Sequence, residues 1–233
     1  MTFAFRQHEI CTALSESVRG TVCAVLFTAG PREVRAAEQV FGAGDSGRKL
    51  FLLRRGLVKL TALSSGGDEI ILQIYRPGDI FGELCFCSEE RTHSAIALEP
   101  SEVIEATAED VLSALHHDPA LSLELLEAIT GRLAAAYTEL QESFSDVILT
   151  RIASKLLSLV APLEGVATLA ELPYHFSHAD LAQMIGVRRE TVTRAMGDLR
   201  RLGLIGSSPH GHVTVELVRL REFLAQSANR SVI

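Results

Sequence analysis

Long apolar runs are missing from this sequence, and cysteine is scarce. No stretch of about 18 apolar residues occurs, which argues against an ordinary membrane-spanning helix. The opening residues, MTFAFRQHEICTALSESVRG, lack the basic–apolar–small order of a secretory leader, so the expectation is a cytoplasmic protein with no membrane partner. The four cysteines, Cys11, Cys23, Cys85 and Cys87, are too few and too unevenly spaced for a disulfide framework, and no C-x-x-C pair is present. Histidine is thin where strands are expected, since only His93 falls between 33 and 107. A metal-dependent oxygenase on a β-barrel needs clustered histidine and carboxylate ligands. Ligand count therefore excludes that class of enzyme.

What is present fits two folded domains. The chain has 233 residues, of which 47% are hydrophobic and 22% charged, enough to bury sizeable cores. The net charge of −7 speaks against a nucleic-acid partner until its distribution is considered. Residues 1–147 carry 12 Lys/Arg against 22 Asp/Glu, and residues 148–233 carry 10 against 7. The basic surplus lies at the C-terminal end.

From about 33 to 107 the pattern is of short strands. The runs KLFLL, LVKLTAL, EIILQIY, DIF, SAIAL and EVIEAT are separated by turn-forming segments such as SSGGDE and RPGD. Such spacing predicts an antiparallel barrel or jelly roll, with Gly66-Gly67-Asp68 as a hairpin turn. The period then changes. Asp110–Leu115 reads as a short helix, and a long one follows Pro119. Along it Leu126, Ile129, Leu133, Tyr137, Leu140, Phe144 and Val147 recur at steps of three or four. That stripe suits either a helix packed on its own domain or a coiled-coil seam between two subunits, and its length favours the seam. Gly131 inside it costs about 1 kcal/mol against alanine and suggests a close approach. A second helix is expected near 150–160, a linker-like segment after it, and a closing hairpin at the C-terminus. The expected domains are a sensing domain over 1–115, a dimerisation helix over 116–147 and a DNA-binding domain over 148–233.

The stretch GVRRETVTRAM is the most informative. Ser177-His178-Ala179-Asp180 reads as a helix cap, Gly186 as a left-handed stop, and a second helix starts near Arg188. Val192, Ala195, Met196 and Leu199 face inward, while Arg189, Glu190, Thr193 and Arg194 occupy the opposite face. Two helices joined by such a turn form a helix-turn-helix, whose second helix presents its first residues to base edges in the major groove. Arginine can donate two hydrogen bonds to guanine, and glutamate can accept from cytosine. GLIGSSPHGHVTV then reads as a wing. Its Ser207, Ser208, His210 and His212 could touch phosphates or be ordinary turn residues.

FSHADLAQMIGVRRETVTRAMGDLRRLGLI resembles the winged-helix signature of the cyclic-AMP receptor/fumarate–nitrate regulator (Crp/Fnr) family. RRGLVKL and RPGDIFGEL resemble its β-roll. The implied fold is α+β: an N-terminal antiparallel β-roll of the cyclic-nucleotide-binding kind, a long dimerisation helix and a C-terminal winged helix-turn-helix. The implied function is a homodimeric transcription regulator that reads a palindrome with TGTGA-like half-sites and has RNA polymerase as a partner. By the resemblance Arg189 and Arg194 read guanines and Glu190 a cytosine. Arg188 and Thr191 fix the backbone, with Ser177 and Thr193 completing the DNA-facing set. The mechanism implied is allosteric: an effector or redox signal in the β-roll alters the long helix, with a hinge near Ser145 to Leu149.

The effector is less clearly written. The family's Gly-Glu-Leu stretch is present as Gly82-Glu83-Leu84, its glutamate taking a ribose hydroxyl. Where the family has an arginine–serine pair gripping the phosphate, this chain has His93-Ser94. Arg91 shares a strand face with His93, two residues off. The adenine contacts of the dimer helix fall near Ala136 and Tyr137, and Tyr137 could stack on a base or fill the seam. The cofactor is thus unknown, with cyclic AMP possible. Haem or redox thiols are the other choices: His8 and His93 are candidate axial ligands without telling spacing, and Cys85 and Cys87 would share one face of an extended segment or be small buried thiols. An alternative function is a cyclic-nucleotide-binding regulatory module acting on a protein partner, which leaves Arg189, Glu190 and Arg194 unexplained.

Overall fold

The computed structural model of the chain describes residue 27 and residues 29–64, 66–143, 148–160 and 168–230. His8, Cys11, Cys23, Phe144, Val147 and the Ser145–Val147 part of the expected hinge lie outside the described residues, as does the side chain of Cys85. The chain divides into two compact units, Met1–Ala135 and Ala136–Ile233.

The first unit is built on eight antiparallel strands in two sheets. One sheet has the order β1 (Arg32–Val34), β8 (Ser101–Thr107), β3 (Lys49–Arg55), β6 (Ile80–Phe81); the other has β2 (Gln39–Phe41), β7 (Ser94–Ala97), β4 (Val58–Leu63), β5 (Glu69–Tyr75). β3 shows why. Leu50, Phe51, Leu52 and Leu53 are all buried, because successive side chains point to opposite faces and both faces are covered. Phe51 and Leu53 join Phe41, Val58, Tyr75 and Phe81 between the sheets. Leu50 and Leu52 pack instead with Val111 and Leu121, which come from helices on the outer face. Gly67 forms the expected β4–β5 turn at φ +87°, a region that costs glycine nothing.

Helix α1 (Ala108–His117) starts where the Thr107 hydroxyl accepts the Asp110 amide at 3.1 Å. Pro119 opens α2 (Pro119–Ser143), a position where its missing amide hydrogen is no loss. Leu121 and Leu125 are buried at its start. The stripe beyond is not: Leu126, Leu133, Tyr137 and Leu140 are 56%, 48%, 63% and 55% exposed, and Ile129 is half-buried. Apart from the backbone of its own helix turns and its chain neighbours, no described atom lies within 4 Å of where a Gly131 side chain would begin, so the close approach expected there is not made within the described residues.

The second unit holds α3 (Ile148–Val160), α4 (His178–Ile185) and α5 (Arg189–Arg201), then β10 (Ile205–Ser207), β11 (Val213–Glu216) and α6 (Leu217–Arg230). Its core joins Ile152 and Leu156 of α3 to Leu181 of α4 and Met196 and Leu199 of α5. The wing is three-stranded, because β9 (Leu169–Glu171) pairs with β11. The expected hairpin forms as the antiparallel pair β10–β11, but it does not close the chain. β11 runs directly into α6, whose Leu217 and Leu220 are buried one turn apart, and that spacing belongs to a helix. Among the described residues no helix is long and apolar enough to cross a membrane.

Candidate nucleic-acid interface and effector pocket

The helix-turn-helix forms as its sequence dictates. The Ser177 hydroxyl accepts the Asp180 amide at 3.1 Å while the Asp180 carboxylate accepts the Ser177 amide at 2.7 Å, a capping box that satisfies two otherwise orphaned donors. Ser177 thus holds the start of α4. Gly186 stops α4 at φ +72°. α5 then begins with Arg188 as its N-cap. Val192, Ala195, Met196 and Leu199 are buried, which turns Arg189, Glu190, Thr193 and Arg194 outward, all exposed. Arg188 is exposed and Thr191 half-buried.

Thr193 is engaged within the protein. Its hydroxyl lies 3.0 Å from the Arg189 carbonyl, to which it donates, and 2.9 Å from His178 Nδ1. His178, which the sequence reading passed over, therefore ties α4 to α5. Burial holds its pKa below the ordinary histidine value, and Arg200 and Arg189 push the same way. In the wing, Ser208 donates to Glu171 at 2.8 Å and His212 Nδ1 lies 3.3 Å from the same carboxylate, while Ser207 and His210 are exposed.

The pocket of the first unit looks different from its sequence. Phe41, Tyr75, Glu83, Arg91, Thr92 and His93 are among the residues around a cavity of about 30 Å³. That is room for a water molecule or two. Arg91 is 6% exposed; its Nη1 donates to the Gly82 carbonyl at 2.8 Å and its Nη2 to the Lys49 carbonyl. The guanidinium sits 4.3 Å from the Phe41 ring centre and 5.6 Å from that of Phe51. The expectation that Arg91 and His93 share a strand face is corrected, since β7 begins only at Ser94. Freed from strand alternation, Arg91 turns inward.

Glu83 pairs with Arg132 of α2, Nη1 to Oε2 at 3.2 Å, and Arg132 Nη2 donates to the Ile80 carbonyl. The Tyr75 hydroxyl pKa is raised, first by burial and then by the charge of Glu83. Leu84 lines the cavity but is largely exposed, and the Ser94 hydroxyl accepts the Ala43 amide at 3.0 Å. Tyr137 lies further along α2, on its exposed stripe. The residues Glu83–Phe86 form a 3₁₀ turn with Cys87 at its end, so Cys85 and Cys87 do not lie on an extended segment. Cys87 is exposed, against the reading of a small buried thiol. No group of three or more metal-ligating side chains occurs among the described residues.

Fold and site together define a winged-helix DNA-binding protein with a β-roll ahead of its reading domain. Residues 31–118 match the cyclic nucleotide-binding domain family and residues 150–223 the Crp-like helix-turn-helix family. The chain is 33% identical over 187 residues to the cyclic AMP receptor protein of Thermus thermophilus, covering 80% of this chain and 83% of the relative. It is 30% identical over 177 residues to the global nitrogen regulator of a Synechocystis strain, covering 72% and 77%. The structure of FixK2 from Bradyrhizobium japonicum shares the fold, with a TM-score of 0.73, 23% identity and coverage of 84% of this chain and 96% of that one. The chain belongs to the Crp/Fnr family of transcription regulators, and its relatives are regulators rather than enzymes.

Proposed function

We propose that this chain acts in the cytoplasm as a homodimer that reads a palindrome with TGTGA-like half-sites and works with RNA polymerase at promoters. The observation that carries the reading is the outward row Arg189, Glu190, Arg194 on a helix whose other side is buried. At this place in a helix-turn-helix those side chains meet base edges, arginine suiting guanine and glutamate suiting cytosine. Arg188 and Thr191 hold the backbone. Thr193 braces the reading helix through Arg189 and His178 rather than offering a free hydroxyl to a base.

The second subunit is argued from α2. Four large apolar side chains at coiled-coil spacing stand exposed, and a matching stripe from a second copy would cover them. Gating follows the same helix: Arg132 ties it to the 3₁₀ turn of the β-roll, so a change in the roll bears on the helix that sets the spacing of two reading heads.

The test is fluorescence anisotropy of a duplex with two inverted TGTGA half-sites one helical turn apart, against a scrambled duplex at the same salt. We expect binding of the palindrome at least about 10³-fold tighter, the usual lower bound for specific recognition. Equal affinity for both duplexes would overturn the half-site assignment.

A further inference from the structure

His178 stands at the edge of the reading surface, and its hydrogen bonds decide what it can offer to DNA. The Thr193 hydroxyl has a single hydrogen, which goes to the Arg189 carbonyl at 3.0 Å. The 2.9 Å contact between Thr193 Oγ1 and His178 Nδ1 therefore has the imidazole as its donor. A neutral ring that carries its proton on Nδ1 leaves Nε2 as a bare acceptor. Among the described residues Nε2 has no hydrogen-bond partner and is not buried. Arg189, Thr193 and Arg200 follow at steps of four and seven, which sets them on one face of α5. His178 meets that face at Thr193, and both arginines are close enough to act on its charge.

We propose that His178 is a proton-linked phosphate contact: only its imidazolium donates from Nε2 to the DNA backbone, so each reading head takes up a proton as it binds. The proposal rests on the DNA-reading function above. In a helix-turn-helix the first helix crosses the backbone while the second lies in the groove. His178 is the first residue of α4 and is bonded to α5. Phosphate oxygens only accept, so they repel the lone pair of a neutral Nε2 and attract a protonated one. In the free protein, burial, Arg200 and Arg189 all hold the ring toward its neutral form. A phosphate set among these three groups offsets the arginines and favours the charged ring. Other charged groups nearby have their own partners. Asp180 of the same helix accepts the Ser177 amide, and His175 of the preceding segment lies against His212 of the wing. α3, the other helix packed on α4, carries Arg151 and Lys155, and Arg151 is held at the Ile185 carbonyl, at the far end of α4. One proton passes from solvent to Nε2 of each head on binding and returns on release. Affinity is therefore highest at acid pH and falls as pH rises through the interval between the free and bound pKa values.

Anisotropy of the palindromic duplex with the full chain, at fixed salt from about pH 6 to about pH 8.5, tests this. Binding by the parent should weaken about tenfold or more across that range, because one unit of pKa rise in a single head is already a factor of ten. His178→Gln keeps an amide donor for Thr193 and cannot take up the proton. Its profile should be flatter by that factor and should join the parent's at the alkaline end. His178→Arg, charged throughout, should lose the same pH dependence, with circular dichroism confirming the fold of each variant. Any share from the wing histidines His210 and His212 is common to parent and variants, so the difference between profiles reads His178. A structural role alone would lower affinity equally at every pH. Parallel profiles in the parent and both folded variants, or a parent profile without slope, overturn the contact and leave DNA reading standing. No binding of any duplex at any pH overturns the DNA-reading function and the contact with it.

Discussion

Arg189 and Arg194 stand five positions apart on α5, with Glu190 beside the first, and each projects from an exposed position above a buried Val192, Ala195 or Met196. A side chain that only solvates a helix can be truncated at almost no cost. One that donates two hydrogen bonds to guanine cannot. Arg189→Ala is expected to cost about 1–3 kcal/mol on the cognate duplex and to relax preference at a single base pair. Anisotropy across a set of single-base variants reads both effects, and a uniform loss on every duplex would move Arg189 to the phosphate contacts. The outward row was legible in the sequence, because apolar spacing alone decides which side of a helix is buried. The engagement of Thr193 was not, since it depends on where His178 lies across the turn.

At the scale of elements, α2 carries its own test. Leu133→Glu places a charge on the exposed stripe, away from Leu121 and Leu125, which anchor the helix start. The expected outcome is a monomer by sedimentation, with the fold kept and affinity for the palindrome reduced. A variant that stays dimeric would send the seam elsewhere. Strands β1, β3 and β8 meet at Glu105, which bonds Arg32 Nε at 2.9 Å and Lys49 Nζ at 2.6 Å. Burial works to raise its pKa, but the hydrogen bonds and charges of Lys49 and Arg32 outweigh it, and the net shift is downward. A carboxylate depressed in the folded state contributes stability above its ordinary value of about 4.3, lost as pH falls through the lower folded value. Glu105→Gln should therefore lower denaturant stability at neutral pH and converge with the parent at acid pH, which flattens the acid limb. An unchanged limb would remove Glu105 from the account. The longer strands were legible from alternation and turn residues. β1 and β2 are three residues each, too short to show a period, and α6 follows β11 with no glycine or proline to mark the change. The inward turn of Arg91 was hidden for another reason. Two positions apart means one face only within a strand, and Arg91 is not in one.

For the whole molecule, the overall charge of −7 hides a split, with residues 148–233 holding 10 basic against 7 acidic groups. The DNA-reading part should bind as a cation even though the chain is an anion. The logarithm of the binding constant should then fall with the logarithm of salt concentration, by about 0.9 for each phosphate neutralised. A flat salt response would show that the outward arginines meet no polyanion. Sheet order has a consequence for synthesis. β8 lies between β1 and β3, pairing Val103 with Arg32 and Thr107 with Lys49. Until the ribosome has made Ser101–Thr107, both earlier strands present bare edges, the kind that recruit other chains. The roll closes on its eighth strand, and a nascent chain stalled before Ser101 should be held by chaperones rather than stand as a partly built domain.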